Sequence, residues 1–172
     1  MPLAEDALIS TIGYGQDVYE PFLVRLRRIP GVTHVVDVRT NPYSRYQEDF
    51  RSDFGPRLQR DGLKYVFMGD RLGAKPSHPE VLTEGEPDVT KMRSWPFFLE
   101  GIERLIEAAQ AGKQLCLLCG CARPDQCHRG TFLGEVLLER GIDLAHYLTD
   151  GQIIRQSEMR LHLPPEQLNL FT

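Results

Sequence analysis

The segment Cys119-Gly-Cys121-Ala-Arg123-Pro124-Asp-Gln-Cys127-His128-Arg129 holds three thiols, an imidazole and two guanidinium groups. Thiols and imidazole ligate soft metals or attack electrophiles, and guanidinium groups hold anions. The segment follows the apolar run Leu115 to Cys119 and precedes a helical pattern from Gly130 to Arg140. It therefore joins a buried strand to a helix. Ligands of open α/β sheets bind outside the carboxyl ends of strands, and a helix start offers free N–H groups to an anion. This position predicts an anion site with Arg129 as donor. It also predicts a Cys127 thiol made more acidic by the helix and by Arg129. Cys127 is then a candidate nucleophile and His128 a candidate acid–base group, or both merely grip the anion.

Two known thiolate loops are excluded by spacing. No cysteine is followed by Arg at the sixth position, as in phosphatases, or by Arg or Lys at the fifth, as in sulfurtransferases. A metal is the competing reading, because Cys116, Cys119, Cys121, Cys127 and His128 could all serve zinc. Cys116 and Cys119, however, fall on opposite faces of one strand, and paired Cys-x-x-Cys knuckles are missing. The expectation is no metal and no cofactor, with metal binding through the cysteine loop as an alternative.

A second cluster, Asp37-Val-Arg39-Thr-Asn-Pro42-Tyr-Ser44-Arg45, closes the β-branched run Val32 to Val38. Asp37 and Arg39 share a strand face by period two. Charges at the end of a buried strand need partners or a use. One reading is a mutual ion-pair network. The other makes Arg39, Ser44 and Arg45 anion donors, with Asp37 orienting a partner or joining catalysis. Gly13-Tyr14-Gly15 ends another strand, so its backbone can approach the same ligand, although the full dinucleotide fingerprint is absent. The predicted site gathers Gly13, Tyr14, Asp37, Arg39, Ser44, Arg45, Cys119, Cys127, His128 and Arg129 around a nucleotide or a nucleic-acid phosphate.

The ordered motifs Thr11-Ile-Gly13-Tyr14, Val36-Asp37-Val-Arg39 with Pro42 and Ser44-Arg45, Leu72-Gly73, and Cys119 through Pro124 to Cys127-His128-Arg129 resemble the bacterial and archaeal family catalogued as domain of unknown function 488. The resemblance covers about residues 8 to 150. It implies a shared site but no established reaction. Cys121 stands where that family usually carries Glu, and Ala74 where a second Gly is common.

Strands are expected near 7–12, 33–38, 63–67, 115–119 and 142–147. Helices are expected over 18–29, over 46–61 with a break or restart at Gly55-Pro56, over 95–111 and over 130–140. Strands separated by helices predict a three-layer α/β domain, a mainly parallel sheet of about five strands with helices on both faces. Residues 69–94, rich in proline, read as a long loop. The division is a single domain over 1–163 and an extended tail over 164–172.

The 172 residues carry a net charge of -4, which argues against a globally basic nucleic-acid binder. Between Arg39 and Lys75, eight basic residues outnumber five acidic ones, a local bias that suits an anionic partner. No apolar run is long enough to span a membrane, and the N-terminus does not read as an export signal. Four cysteines packed into residues 116–127 suit a reducing cytoplasm better than a disulfide scaffold. Gln167-Leu168-Asn169-Leu170-Phe171 resembles the Gln-Leu-x-Leu-Phe peptide by which bacterial polymerases and repair factors dock on the DNA sliding clamp. Leu168, Leu170 and Phe171 suit an apolar pocket and Gln167 its rim, unless the same residues pack on their own domain.

Overall fold

The computed structural model describes residues 7–161. Strands run over Ile9–Gly13 (β1), His34–Asp37 (β2), Lys64–Phe67 (β3), Leu82–Thr83 (β4), Glu86–Pro87 (β5), Leu115–Cys119 (β6), Ala145–Tyr147 (β7) and Ile153–Arg155 (β8). Helices run over Tyr19–Leu26 (α1), Phe54–Arg60 (α2), Gly69–Leu72 (α3), Val89–Arg93 (α4), Pro96–Gln110 (α5), Gly134–Glu139 (α6) and Gln156–Leu161 (α7). The main sheet has the order β3-β2-β6-β1-β7-β8, parallel except for β8, while β4 and β5 form a separate antiparallel hairpin.

The centre of this sheet explains the layering. Every residue of β6 is buried. Cys116 and Leu118 enter one core with Tyr19, Phe22, Phe54 and Leu58 of α1 and α2. Leu115, Leu117 and Cys119 enter the other with Phe98, Ile102, Leu133 and Leu137 of α5 and the α6 region. A strand buried on both faces needs apolar residues at every position, which is what Leu-Cys-Leu-Leu-Cys supplies. Fully burying side chains such as Phe98 and Ile102 stabilises each by roughly 1.5–3 kcal/mol.

The α/β class and mainly parallel sheet agree with the sequence reading, with six strands in place of five. The extra strand, β8, returns after Gly151, whose φ of 87° sits in the left-handed region. Three residues are too few to show a period. Of the helix expected over 46–61, residues 48–50 form only a 3-10 turn, and α2 starts at Phe54 with Gly55-Pro56 in its first turn, where proline has no intrahelical N–H bond to lose, so the expected restart is found there. The supposed loop 69–94 holds α3, the β4–β5 hairpin, α4 and a 3-10 turn over Pro79–Val81. Val81 and Met92 are anchored in the core beside Trp95. The tail, with Gln167, Leu168, Leu170 and Phe171, lies outside the described residues. Among the described residues, no helix is long and apolar enough to cross a membrane.

Candidate functional site

The carboxyl ends of β2, β6 and β1 are neighbours in the sheet, and the loops leaving them are tied together. Tyr14 N–H donates to the Cys119 carbonyl at 3.2 Å, Gly15 N–H to Gly120 at 3.0 Å and Val38 N–H to Leu118 at 3.1 Å. A Cβ on Gly13 would lie 1.7 Å from the Cys121 carbonyl oxygen, so only glycine lets the cysteine loop approach β1. The space beside Gly13 that the sequence offers to a ligand is filled here by the chain's own backbone.

After Cys119 the loop passes Cys121, makes a 3-10 turn over Pro124–Gln126 and reaches Cys127 in extended conformation. A π-helical turn over Arg129–Leu133 then leads into α6. This path returns Cys127 Sγ to 3.1 Å from Cys119 Sγ. The sulfur atoms of Cys119, Cys121 and Cys127 all lie within 4.8 Å of one another. Cys119 and Cys127 are buried and Cys121 is exposed, so the cluster opens to solvent at Cys121. Cys116 points into the opposite core, as its odd separation from Cys119 requires.

His128 borders the sulfur group. Its Nδ1 lies 3.8 Å from Cys127 Sγ, and its Nε2 lies 3.1 Å from the Val38 carbonyl oxygen. A carbonyl only accepts, so this bond assigns the proton to Nε2 and leaves the Nδ1 lone pair facing the thiols. Hydrogen bonds from Cys121 and then Cys127 outweigh burial and hold the Cys119 thiol far below its ordinary range. The bonds to Cys119 and Cys121, with burial, push Cys127 far up. The three neighbouring thiols titrate as one group, which the expectation for Cys127 from Arg129 and the helix start does not include. Arg129 does favour the Cys127 thiolate, but the sulfur neighbours prevail.

Arg129 is completely buried. Its Nη1 donates to Thr11 Oγ1 at 2.7 Å, and its Nη2 to the carbonyls of Cys121 at 3.0 Å and Ala122 at 3.3 Å. These acceptors are neutral, and Nε has no hydrogen-bond partner among the described residues. Because Thr11 Oγ1 accepts from Arg129, its own proton goes to His146 Nδ1 at 2.6 Å. His146 Nε2 then donates to Gln156 Oε1 at 2.7 Å, and Gln156 Nε2 to Gly130 O and Glu135 Oε1, each at 2.9 Å. Burial, reinforced by the Arg129 charge, lowers His146 to a pKa of about 3.

Arg39 is arranged differently. Its Nε and Nη2 donate to the two carboxylate oxygens of Asp37 at 2.9 and 2.7 Å. Its Nη1 donates to the Phe50 carbonyl at 2.9 Å and lies 3.3 Å from the Tyr14 hydroxyl. Tyr65 adds a hydroxyl donor to Asp37 at 2.6 Å. Burial alone would lower the Arg39 pKa, but the Asp37 carboxylate raises it above the usual arginine range. Tyr14 is buried and stacks on Phe50 with ring centroids 3.9 Å apart. The ion-pair alternative therefore describes Asp37 and Arg39. Ser44 Oγ accepts backbone N–H groups of Tyr46 and Gln47 in a turn, and Arg45 is exposed.

Gly13, Tyr14, Asp37, Arg39, Cys119, Cys127, His128 and Arg129 thus belong to the connected loops at one end of the sheet. The anion site expected from the sequence leaves out Cys121, named only in the metal alternative, and also Thr11, His146 and Gln156. Cys121 carried a signal, since Cys-x-Cys can present two thiols to one side. The other three meet Arg129 only through tertiary packing.

A family profile described as Domain of unknown function DUF488 matches residues 20–137. The chain belongs to this family. The DUF488 match includes Asp37, Arg39 and the whole segment from Cys119 to Arg129, but stops short of Thr11 and Gly13 on one side and His146 and Gln156 on the other. No curated protein and no solved structure matches the chain.

Proposed function

We propose that this DUF488 chain binds a thiophilic metal ion of the Zn2+ class through Cys119, Cys121 and Cys127, with His128 Nδ1 as fourth ligand. The observation that carries this reading is the convergence of three sulfur atoms within 4.8 Å. Zn–S bonds of ~2.3 Å in a tetrahedron hold sulfurs ~3.8 Å apart. The Cys119–Cys127 separation of 3.1 Å and the 4.8 Å within which all three sulfurs lie are within about 1 Å of that value. The Val38 carbonyl fixes the imidazole in the tautomer a metal needs, a role that outer partners of ligating histidines commonly fill. Thiolate ligands select zinc and copper(I) over calcium and magnesium.

Charge supports the same assignment. Three thiolates and a divalent ion leave one negative charge in a largely buried site. Arg129, buried against neutral oxygens, restores neutrality. The expectation of no metal rests on the opposed faces of Cys116 and Cys119 and on the missing Cys-x-x-Cys knuckles; this ligand set needs neither Cys116 nor a knuckle.

The test is a titration of the reduced, metal-free chain with Zn2+ against a chromophoric chelator. One ion should bind per chain at micromolar concentration or below, and Co2+ should give the thiolate charge-transfer and tetrahedral visible bands. Cys121→Ser and Cys127→Ser should each weaken binding. Absence of stoichiometric binding overturns the reading.

An anion site built on Arg39 and Arg129 draws less support, because both guanidiniums already donate to protein oxygens. Clamp docking through Gln167, Leu168, Leu170 and Phe171 rests on the peptide's resemblance alone. A 160–172 peptide that fails to bind purified clamp removes it.

A further inference from the structure

We propose a second chemistry for the same cluster: Cys119 and Cys127 form a dithiol/disulfide couple that a hydroperoxide oxidises, expelling the metal. The metal release rests on the zinc-site reading, whereas the couple itself does not.

The geometry selects this pair. Their sulfurs stand 3.1 Å apart, and a disulfide needs ~2.05 Å, so about 1 Å of approach completes the bond. Both backbones are anchored. Cys119 ends the central strand β6, in register with Gly13 of β1. Cys127 N–H donates to Pro124 O at 3.3 Å, and its carbonyl accepts from Gly130 and Thr131 N–H at 3.0 and 2.9 Å. The exposed Cys121 provides the approach for a small oxidant. Cys116 is fully buried on the other face of the sheet and serves as an internal control.

The steps balance as follows. One thiolate of the Cys119–Cys127 pair attacks one oxygen of the hydroperoxide, forming an S–O bond as the O–O bond breaks, and the leaving alkoxide or hydroxide takes a proton from water. The other thiolate of the pair then attacks the sulfenic sulfur. The S–S bond forms, the S–O bond breaks, and hydroxide leaves with a second proton. Two electrons pass from the sulfur pair to the peroxide, which ends as an alcohol, or water, plus water. Only Cys121 and His128 remain for the metal, too few to hold it. A dithiol reductant reverses the change.

The experiment uses the full chain, zinc-loaded and metal-free in parallel, treated with one equivalent of hydrogen peroxide. A chelator dye follows zinc, and mass spectrometry of a non-reducing digest maps the linkage. One zinc should leave per Cys119–Cys127 disulfide, Cys116 should stay reduced, and dithiothreitol should restore zinc binding. Cys127→Ser should abolish the linkage, and Cys116→Ser should leave it unchanged. Zinc binding without this disulfide, or linkage through Cys121 instead, overturns the couple and leaves the metal site standing. A Cys119–Cys127 disulfide in a chain that never binds zinc overturns the metal reading and leaves the couple standing. Failure of both results overturns both.

Discussion

Arg39 and Arg129 are both buried at the same end of the sheet, yet their surroundings differ in one respect. Arg39 has a carboxylate, Asp37, on two of its nitrogens. The described acceptors of Arg129 are a hydroxyl and two carbonyls. Isolated charge in a protein interior costs several kcal/mol unless compensated. The Asp37–Arg39 pair is self-compensated and behaves as architecture, tying β2 to the Phe50 loop and to Tyr65 of β3. Arg129 leaves a positive charge beside three thiols. Residue type alone does not separate the two roles; the charge of the acceptors does.

The largest effect should come from breaking the self-compensated pair. Asp37→Ala leaves the Arg39 cation buried without its counter-charge and the Tyr65 hydroxyl without its acceptor. Urea denaturation should show a loss of roughly 3–5 kcal/mol. The double variant Asp37→Leu, Arg39→Met should recover much of that loss, because no charge is then stranded. A single-variant loss below about 1 kcal/mol would mean that the pair is not isolated from water.

Arg129 should show the complementary pattern. Arg129→Met removes the counter-charge and the clamp on the Cys121 and Ala122 carbonyls. Zinc affinity should fall about 10–100-fold, the range usual for partners just outside a metal's ligands. Arg39→Met, with Asp37→Leu to avoid a stranded charge, should leave zinc affinity unchanged. Equal losses in both variants would erase the distinction between the two arginines.

That distinction is where the sequence stops being informative. The apolar run Leu115 to Cys119 and the β-branched run Val32 to Val38 announce buried strands because burial on both faces demands unbroken apolar character. Their carboxyl ends locate the site by a general property of parallel sheets. Cys116 could be separated from the other cysteines by strand alternation alone. The charge state of the site could not be read, because it depends on Thr11 and on carbonyls of Phe50, Cys121 and Ala122 that reach the guanidiniums only after folding. The titration of the thiols is hidden for the same reason: the helix-start argument sees Arg129 but not the sulfur neighbours that folding brings to Cys127. Gly13 was assigned to a ligand because a glycine signals close backbone approach without saying whose backbone approaches.

The buried chain behind Arg129 gives a smaller, pH-dependent effect. His146 is neutral between Thr11 and Gln156, with Arg129 beyond Thr11 and Glu135 beyond Gln156. Its folded pKa of about 3 lies below the unfolded value of 6.5. The unfolded chain therefore binds a proton that the folded chain refuses in this window. The contribution is complete above pH 6.5 and is lost as pH falls towards 3. At pH 5.5 the loss should be about 1.4 kcal/mol. His146→Asn keeps an acceptor for Thr11 and a donor for Gln156, so its stability should decline less steeply over the same interval. Parallel slopes for the two proteins would place the acid sensitivity elsewhere.

The smallest effect is expected at Arg45, the one arginine of the Asp37–Arg45 segment left exposed. Its carbonyl accepts from Arg51 Nη2 at 3.2 Å, a bond that survives loss of the side chain. Arg45→Ala should therefore match the wild-type urea midpoint and zinc affinity. The variant also sharpens the comparison of Arg39 with Arg129, because Arg45 is free to meet a ligand that those two, held by protein oxygens, would have to be freed to reach. If nucleotides or single-stranded DNA bind at low salt, Arg45→Ala should weaken them and flatten their salt dependence, as removal of a phosphate contact does. If the Asp37→Leu, Arg39→Met double variant and the Arg129→Met variant, both folded and held at saturating zinc, lose such binding while Arg45→Ala does not, the buried guanidiniums open to anions after all. The contrast between a compensated and an uncompensated arginine would then need a ligand to complete it.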